Sequence, residues 1–170
     1  MGGLHEIEFK ELNKSKHWSQ LKGGIKESKI GNPPSYNQYP ESSGNLIHHA
    51  YSMLQIMEYT SIDFTKIKRV FEFGGGYGSS CRLLYQLGYT GSYTILDLPE
   101  FSCLQKYYLN SLPLKNKLKI EINNPKYEDH TVNLINQIKK PEDIDFFFAL
   151  WSISEVPLNL RKKYSLNLII

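Results

Sequence analysis

The chain is poor in cysteine and tryptophan, carries no dense block of one charge, and has no long apolar run. Each absence excludes something. The two cysteines, Cys81 and Cys103, stand 22 residues apart with no CxxC pair. A disulfide-stapled scaffold and a cysteine-built zinc site are therefore not expected, and a reducing cytoplasm is. The longest purely apolar run, Phe146 to Trp151, falls far short of the roughly 20 residues a membrane span needs. The N-terminus shows no charged segment leading into an apolar stretch, so no secretory signal is expected. The formal net charge of +3 comes from scattered lysines, so neither nucleic acid nor a membrane is an expected partner. His5, His17 and His130 form no metal-spaced group with each other or with acids, so no metal site is expected.

What is present is ordinary globular material. The 170 residues are 41% hydrophobic and 22% charged, a size and balance that suit one folded domain. Texture changes at about residue 65, which separates an N-terminal segment, 1–65, from a second region, 66–170. Residues 1–31 are lysine-rich and weakly patterned. Residues 32–44 are rich in Pro, Gly, Asn and Ser and read as a loop. Ile47, Ala50, Tyr51, Leu54 and Met57 recur at helical spacing and predict a helix over about 45–60, with Ser43 or Asn45 as its cap.

From residue 68 strands and helices alternate. Arg69 to Phe73 is a short apolar strand. Ser79 to Leu87 is a helix with Gly88 as a left-handed stop. Ser92 to Leu96 is a β-branched and aromatic strand, and Pro99 opens a helix to about Ser111. Leu118 to Ile122 predicts a third strand, and His130 to Lys139 a helix with Val132, Ile135 and Ile138 on one face. Ile144 to Leu150 is a nearly continuous apolar strand, and Leu160 to about Leu168 predicts a last helix. This order predicts an α/β fold with a mostly parallel sheet and helices on both faces.

The most informative stretch runs from Val70 to Asp97. A strand leads into Glu72-Phe73-Gly74-Gly75-Gly76-Tyr77-Gly78, then a helix, then a strand ending at Asp97. Glycines between strand and helix allow positive φ and close backbone approach to a ligand. The helix start offers unpaired amides and partial positive charge. A carboxylate at the end of the second strand can accept ribose hydroxyl protons, a geometry shared by several nucleotide-type cofactors. By itself Asp97 also serves as an ordinary helix cap, and Glu72 as an ordinary strand-end acid. The dinucleotide fingerprint GxGxxG would need glycine at 79, where Ser79 stands, and nothing matches GxxxxGK[ST].

Glu72-x-Gly74-x-Gly76-x-Gly78 resembles the first motif of class I S-adenosylmethionine-dependent methyltransferases. More narrowly, four stretches are similar to bacterial sugar O-methyltransferases. They are Asn45 to Tyr51; Phe71 to Gly78 with Cys81-Arg82-Leu83; Tyr93 to Phe101 with Leu104-Gln105-Lys106-Tyr107; and Trp151 to Pro157 with Arg161 and Tyr164. The resemblance spans about 36–168. It implies a Rossmann-like methyltransferase fold with an N-terminal helical cap, S-adenosyl-L-methionine as cofactor, and transfer of a methyl group to a hydroxyl on a sugar or glycan precursor. The cofactor-binding residues it implies are Glu72, Gly74, Gly75, Gly76, Tyr77, Gly78, Asp97 and Leu98. Candidate bases for the hydroxyl proton are Glu155, just after the fourth strand, and His49, beside His48 on the helix before the first strand. Trp151 and Tyr77 are candidates for stacking on adenine or sugar.

The family's sheet has three further strands after the fourth, whereas about 20 residues follow Leu150 here. The expectation is a fold missing its C-terminal strands, with an apolar sheet edge open to self-association or to a second chain. The alternative is a catalytically inactive methyltransferase-like domain that serves only as a binding or partner module. An NAD-dependent dehydrogenase is disfavoured by Ser79.

Overall fold

The computed structural model describes residues 3–114, 116–137, 143–150, 152–159 and 161. They form two units, Met1–Lys66 with Ser79–Tyr89, and Ile67–Gly78 with Thr90–Ile170. No described helix is long and apolar enough to cross a membrane.

The first unit holds α1 (Gly3–Lys14), α2 (Trp18–Gly24), a hairpin of β1 (Ser35–Tyr36) and β2 (Tyr39–Ser43), and α3 (Gly44–Thr60). A 3-10 turn follows at Phe64–Lys66, and α4 (Ser79–Gln86) completes the unit. Helix α3 begins where Ser43 turns extended and its hydroxyl accepts from the Leu46 amide at 3.1 Å, the side-chain cap expected of serine. Its apolar stripe, Leu46, Ile47, Ala50, Met53, Leu54 and Met57, is buried. Helix α4 joins this unit through Arg82. That guanidinium, 3% exposed, donates to Glu27 Oε1 at 3.1 Å and to the Lys26 carbonyl. The helix stops where Gly88 takes a φ of +98°, as expected of a glycine after a helix.

Two readings of this unit change. Residues 1–31 contain two helices although their apolar pattern is weak. Helix α1 buries Leu12 together with the acid Glu8 and leaves Leu4 and Ile7 exposed, so no amphipathic stripe announces it. Residues 32–44 are not all loop. Tyr36 pairs with Tyr39, and Phe9 stacks on Tyr39 with ring centroids 5.2 Å apart. Aromatic packing holds a hairpin that turn-forming composition conceals.

The second unit is a five-stranded sheet of β3 (Arg69–Phe73), β4 (Ser92–Leu96), β5 (Lys119–Ile122), β6 (Thr131–Ile135) and β7 (Phe146–Phe148). The order is β5-β6-β4-β3-β7, and every neighbouring pair is parallel. It also holds α5 (Pro99–Ser111) and the single turn α6 (Ser152–Glu155). Strands β4 and β6 are buried along their whole length, as expected of inner strands in a parallel sheet. Phe71, Leu96 and Ile135 form the core of one face, with Phe73, Ile144 and Phe147 against them. This is an α/β, Rossmann-like arrangement, in which strands β3, β4 and β7 and helices α4 and α5 lie where the sequence places them to within a few residues.

One element is corrected. The helix expected over His130 to Lys139 is instead strand β6, with residues 138–139 outside the described ones. Thr131, Val132 and Ile135 are β-branched and favour extended backbone. Pairing Val132 with Tyr93 and Leu134 with Ile95 buries the segment on both sides. The eight residues 123–130 return the chain without a helix, and both ends, Asn123 (φ +51°) and His130 (φ +56°), are left-handed. The last expected helix, from Leu160, lies outside the described residues except for Arg161.

Candidate functional site

The chain runs from β3 to β4 and β6 on one side, then returns to β7 on the other side of β3. That reversal makes the carboxyl ends of β3 and β7 a topological switch point, where open parallel sheets bind ligands. A cavity of about 440 Å³ lies there. It is lined by the end of β3 (Phe73, Gly74, Gly76), the end of β4 (Leu96, Asp97, Leu98), Phe101 of α5, Asn136 after β6, and Ser152, Glu155 and Val156 after β7. The size suits a nucleoside-sized ligand.

Local chemistry explains the shape. The Gly74 amide still donates to the Leu96 carbonyl at 2.9 Å, one step past the strand ladder. Gly74 itself has a φ of +72°, and a Cβ on it would lie 2.3 Å from Ser152 Cβ. The Gly78 amide donates to the Gly75 carbonyl at 2.9 Å and closes the turn. Asp97 Oδ2 accepts from the Gly76 amide at 3.1 Å, and Oδ1 from the Leu98 amide at 2.9 Å. The acid at the end of β4 is thus tied to the glycine loop at the end of β3. Burial holds the Asp97 carboxyl above the ordinary aspartate range, while the Leu98, Gly76, Gln105 and Gly75 donors pull it back.

The structure sorts the eight residues expected to hold a cofactor. Gly74, Gly76, Asp97 and Leu98 line the cavity. Glu72 lies beneath the loop: it is buried, accepts from the Tyr93 hydroxyl at 2.8 Å, and its Oε2 would meet a Gly75 Cβ at 2.9 Å. Its carboxylate buttresses the turn, and Gly75 is glycine because Ile95 and Glu72 leave no room for a side chain. Gly78 faces Leu109, and the Tyr77 ring sits edge-on to Tyr108 at 4.9 Å. Trp151 lies outside the described residues.

Of the two candidate bases, Glu155 lines the cavity on the turn after β7. His49 belongs to the other unit, on α3. Its Nδ1 is buried with no hydrogen-bond partner among the described residues. Burial and then the neighbouring His48 pull it down to about 4, which makes it a weak proton acceptor at neutral pH. His48 is the better-oriented imidazole: its Nδ1 lies 2.5 Å from Glu8 Oε1, and His5 Nδ1 lies 2.9 Å from Glu8 Oε2.

The depressed His49 has a consequence for stability. Unfolded, it takes a proton near 6.5; folded, it resists until about 4. Stability is therefore present above pH 6.5 and lost as pH falls through that window. For a shift from 6.5 to about 4 the loss by pH 5 is about 2 kcal/mol. Urea unfolding at pH 7.5 and 5 should show His49→Gln with a smaller acid loss than the parent by that amount. Equal losses in the two chains would refute the assignment.

Asn136 and Ser152 were not among the expected site residues. Asn136 Nδ2 donates to the Asp97 carbonyl at 2.9 Å and to Ser102 Oγ at 2.8 Å. It lies in the stretch 130–139 whose pattern predicts a helix, which conceals its place beside Asp97. Ser152 Oγ donates to the Phe73 carbonyl. Ser152 lies in one of the stretches that carry the family resemblance, but nothing in its residue type marks it. No protein-family model matches the chain, and no curated protein is recognisably similar to it in sequence.

Proposed function

We propose that the chain is a class I S-adenosylmethionine-dependent O-methyltransferase domain that acts on a hydroxyl of a small molecule of the sugar class. The observation that carries the reading is the charge of the switch-point cavity. Two carboxylates, Asp97 and Glu155, line it, and no lysine or arginine does so among the described residues. Asp97 suits the ribose of either cofactor class; Glu155 repels the diphosphate that a dinucleotide brings and favours the positive charge of a sulfonium cofactor. The residues present suit that cofactor. In this reading Asp97 accepts the ribose hydroxyl protons, and the open backbone of Gly74 and Gly76 admits the methionine part. Leu98, Phe101 and Val156 offer apolar surface to adenine. When bound, S-adenosylmethionine supplies an electrophilic methyl group. Glu155, exposed at the rim, is the cavity residue able to take a proton from an acceptor hydroxyl.

Calorimetric titration of the folded chain with S-adenosylhomocysteine and with NAD tests this. Saturable binding of the first and none of the second is expected, and the reverse would overturn the reading. Replacing Asp97 with alanine should weaken S-adenosylhomocysteine binding by about 1–3 kcal/mol, since it leaves buried hydroxyls unpaired. Unchanged affinity would remove Asp97 from the ribose site. Binding without methyl transfer to any sugar would favour a non-catalytic module.

A further inference from the structure

The residue that joins the two halves of the cavity is Gln105, two turns into α5. It is fully buried. Its Nε2 donates to the Gly76 carbonyl at 2.8 Å and to Asp97 Oδ2 at 2.9 Å. The Gly76 amide donates to the same carboxylate oxygen, so Gly76, Asp97 and Gln105 form a closed ring. Both groups facing Nε2 are acceptors, which settles the orientation of the amide. Its Oε1 is then buried with no partner among the described residues. A buried amide that satisfies two site groups while one of its own atoms goes unpaired is poorly explained as core filling.

We propose that Gln105 is a positioning residue that locks the Asp97 carboxylate to the glycine loop and keeps it in the form that receives the ligand. The other donors to that carboxylate are backbone amides, so Gln105 is the side chain through which sequence can tune it. The acids around Asp97 are Glu155 in the same cavity, Glu100 in the first turn of α5, and Glu72 beneath Gly75. No cation lines the cavity among the described residues. A neutral donor at 105 holds the carboxylate without closing the cavity to a cation. The inference rests on the methyltransferase reading only for the identity of the ligand.

The test follows the Asp97 carboxyl by carbon NMR against pH in the ligand-free chain, alongside S-adenosylhomocysteine binding. Gln105→Met keeps the bulk and removes the donor. Its Asp97 should titrate at higher pH than in the parent, because the charged form loses a hydrogen bond. Binding near neutral pH should weaken about tenfold or more, because the carboxylate is no longer held to the glycine loop. Gln105→Glu, a second variant of similar size, should push Asp97 higher still by like-charge repulsion. An unmoved Asp97 titration in either folded variant would overturn the proposal and make Gln105 a packing residue. If the parent binds no S-adenosylhomocysteine while Asp97 still shifts in the variants, the cofactor assignment fails and the positioning role stands.

Discussion

Glu27→Ala is expected to cost about 3–5 kcal/mol, read from urea or thermal unfolding, because it strips the partner from a buried cation. The Arg82 side chain is 3% exposed and that of Glu27 11%. Glu27 Oε1 accepts from Arg82 at 3.1 Å, and Oε2 accepts from Ser43 Oγ at 2.5 Å. Ser43 is also the cap of α3. One carboxylate therefore satisfies the cation of α4 and steadies the start of α3. With alanine there, Arg82 keeps only the Lys26 carbonyl as an acceptor among the described residues, and its charge is uncompensated in a buried setting. The intact pair need not be favourable in net terms, since desolvation offsets much of its attraction. The informative chain is the double variant Glu27→Ala with Arg82→Met. Removing the orphaned charge should recover most of the loss. A single variant that costs under about 1 kcal/mol would mean that water reaches Arg82 and the pair behaves as a surface one.

The same residues show what a sequence can and cannot disclose. Strands β3 and β4 and helix α5 were legible because their signals are local. A β-branched and aromatic run makes β4, a proline at its first position starts α5, and glycines end β3. Strand β6 was not, because a strand buried on both faces has no period of two to read. Val132 and Ile135 happen to fall at helical spacing. What decides the matter is the ladder to β4, which no local pattern encodes. Asn133, polar in the middle of that strand, completes the disguise. It is buried by donating to the Lys126 carbonyl and accepting from the Lys126 amide, both at 2.9 Å, in the loop before β6.

The candidate site divides in the same way. The glycines and Asp97 could be found from spacing. The family resemblance makes Glu72 a cofactor-binding residue, yet its structural place is under the loop, since only the fold brings Tyr93 and Gly75 against it. Gln105 and Asn136 are ordinary polar residues until the sheet brings Asp97 to them. His48 and His49 are neighbours in sequence with opposite surroundings, one beside the buried carboxylate Glu8 and one whose Nδ1 has no partner among the described residues.

Gly74→Ala is expected to cost about 2–5 kcal/mol and, on the proposed methyltransferase reading, to abolish S-adenosylhomocysteine binding, from two separable causes. The first is backbone: a φ of +72° is open to glycine and strained for alanine, by about 1–2 kcal/mol. The second is steric. The added Cβ would sit 2.3 Å from Ser152 Cβ and 2.8 Å from its Oγ, far inside contact distance. Ser152 has little freedom to retreat, because its hydroxyl is bonded to the Phe73 carbonyl. Relief by moving α6 would carry Glu155 with it, and relief by moving the loop would draw Gly76 away from Asp97. Either way the cavity loses its shape. Gly76→Ala separates the causes. Gly76 has a φ of +54° and nothing within 4 Å of a Cβ, so only the backbone part should remain, about 1–2 kcal/mol. Adding Ser152→Gly to Gly74→Ala should bring its cost down to that same level. If the added change recovers nothing, the clash is not the source, and the close approach of α6 to the glycine loop is not what shapes the cavity.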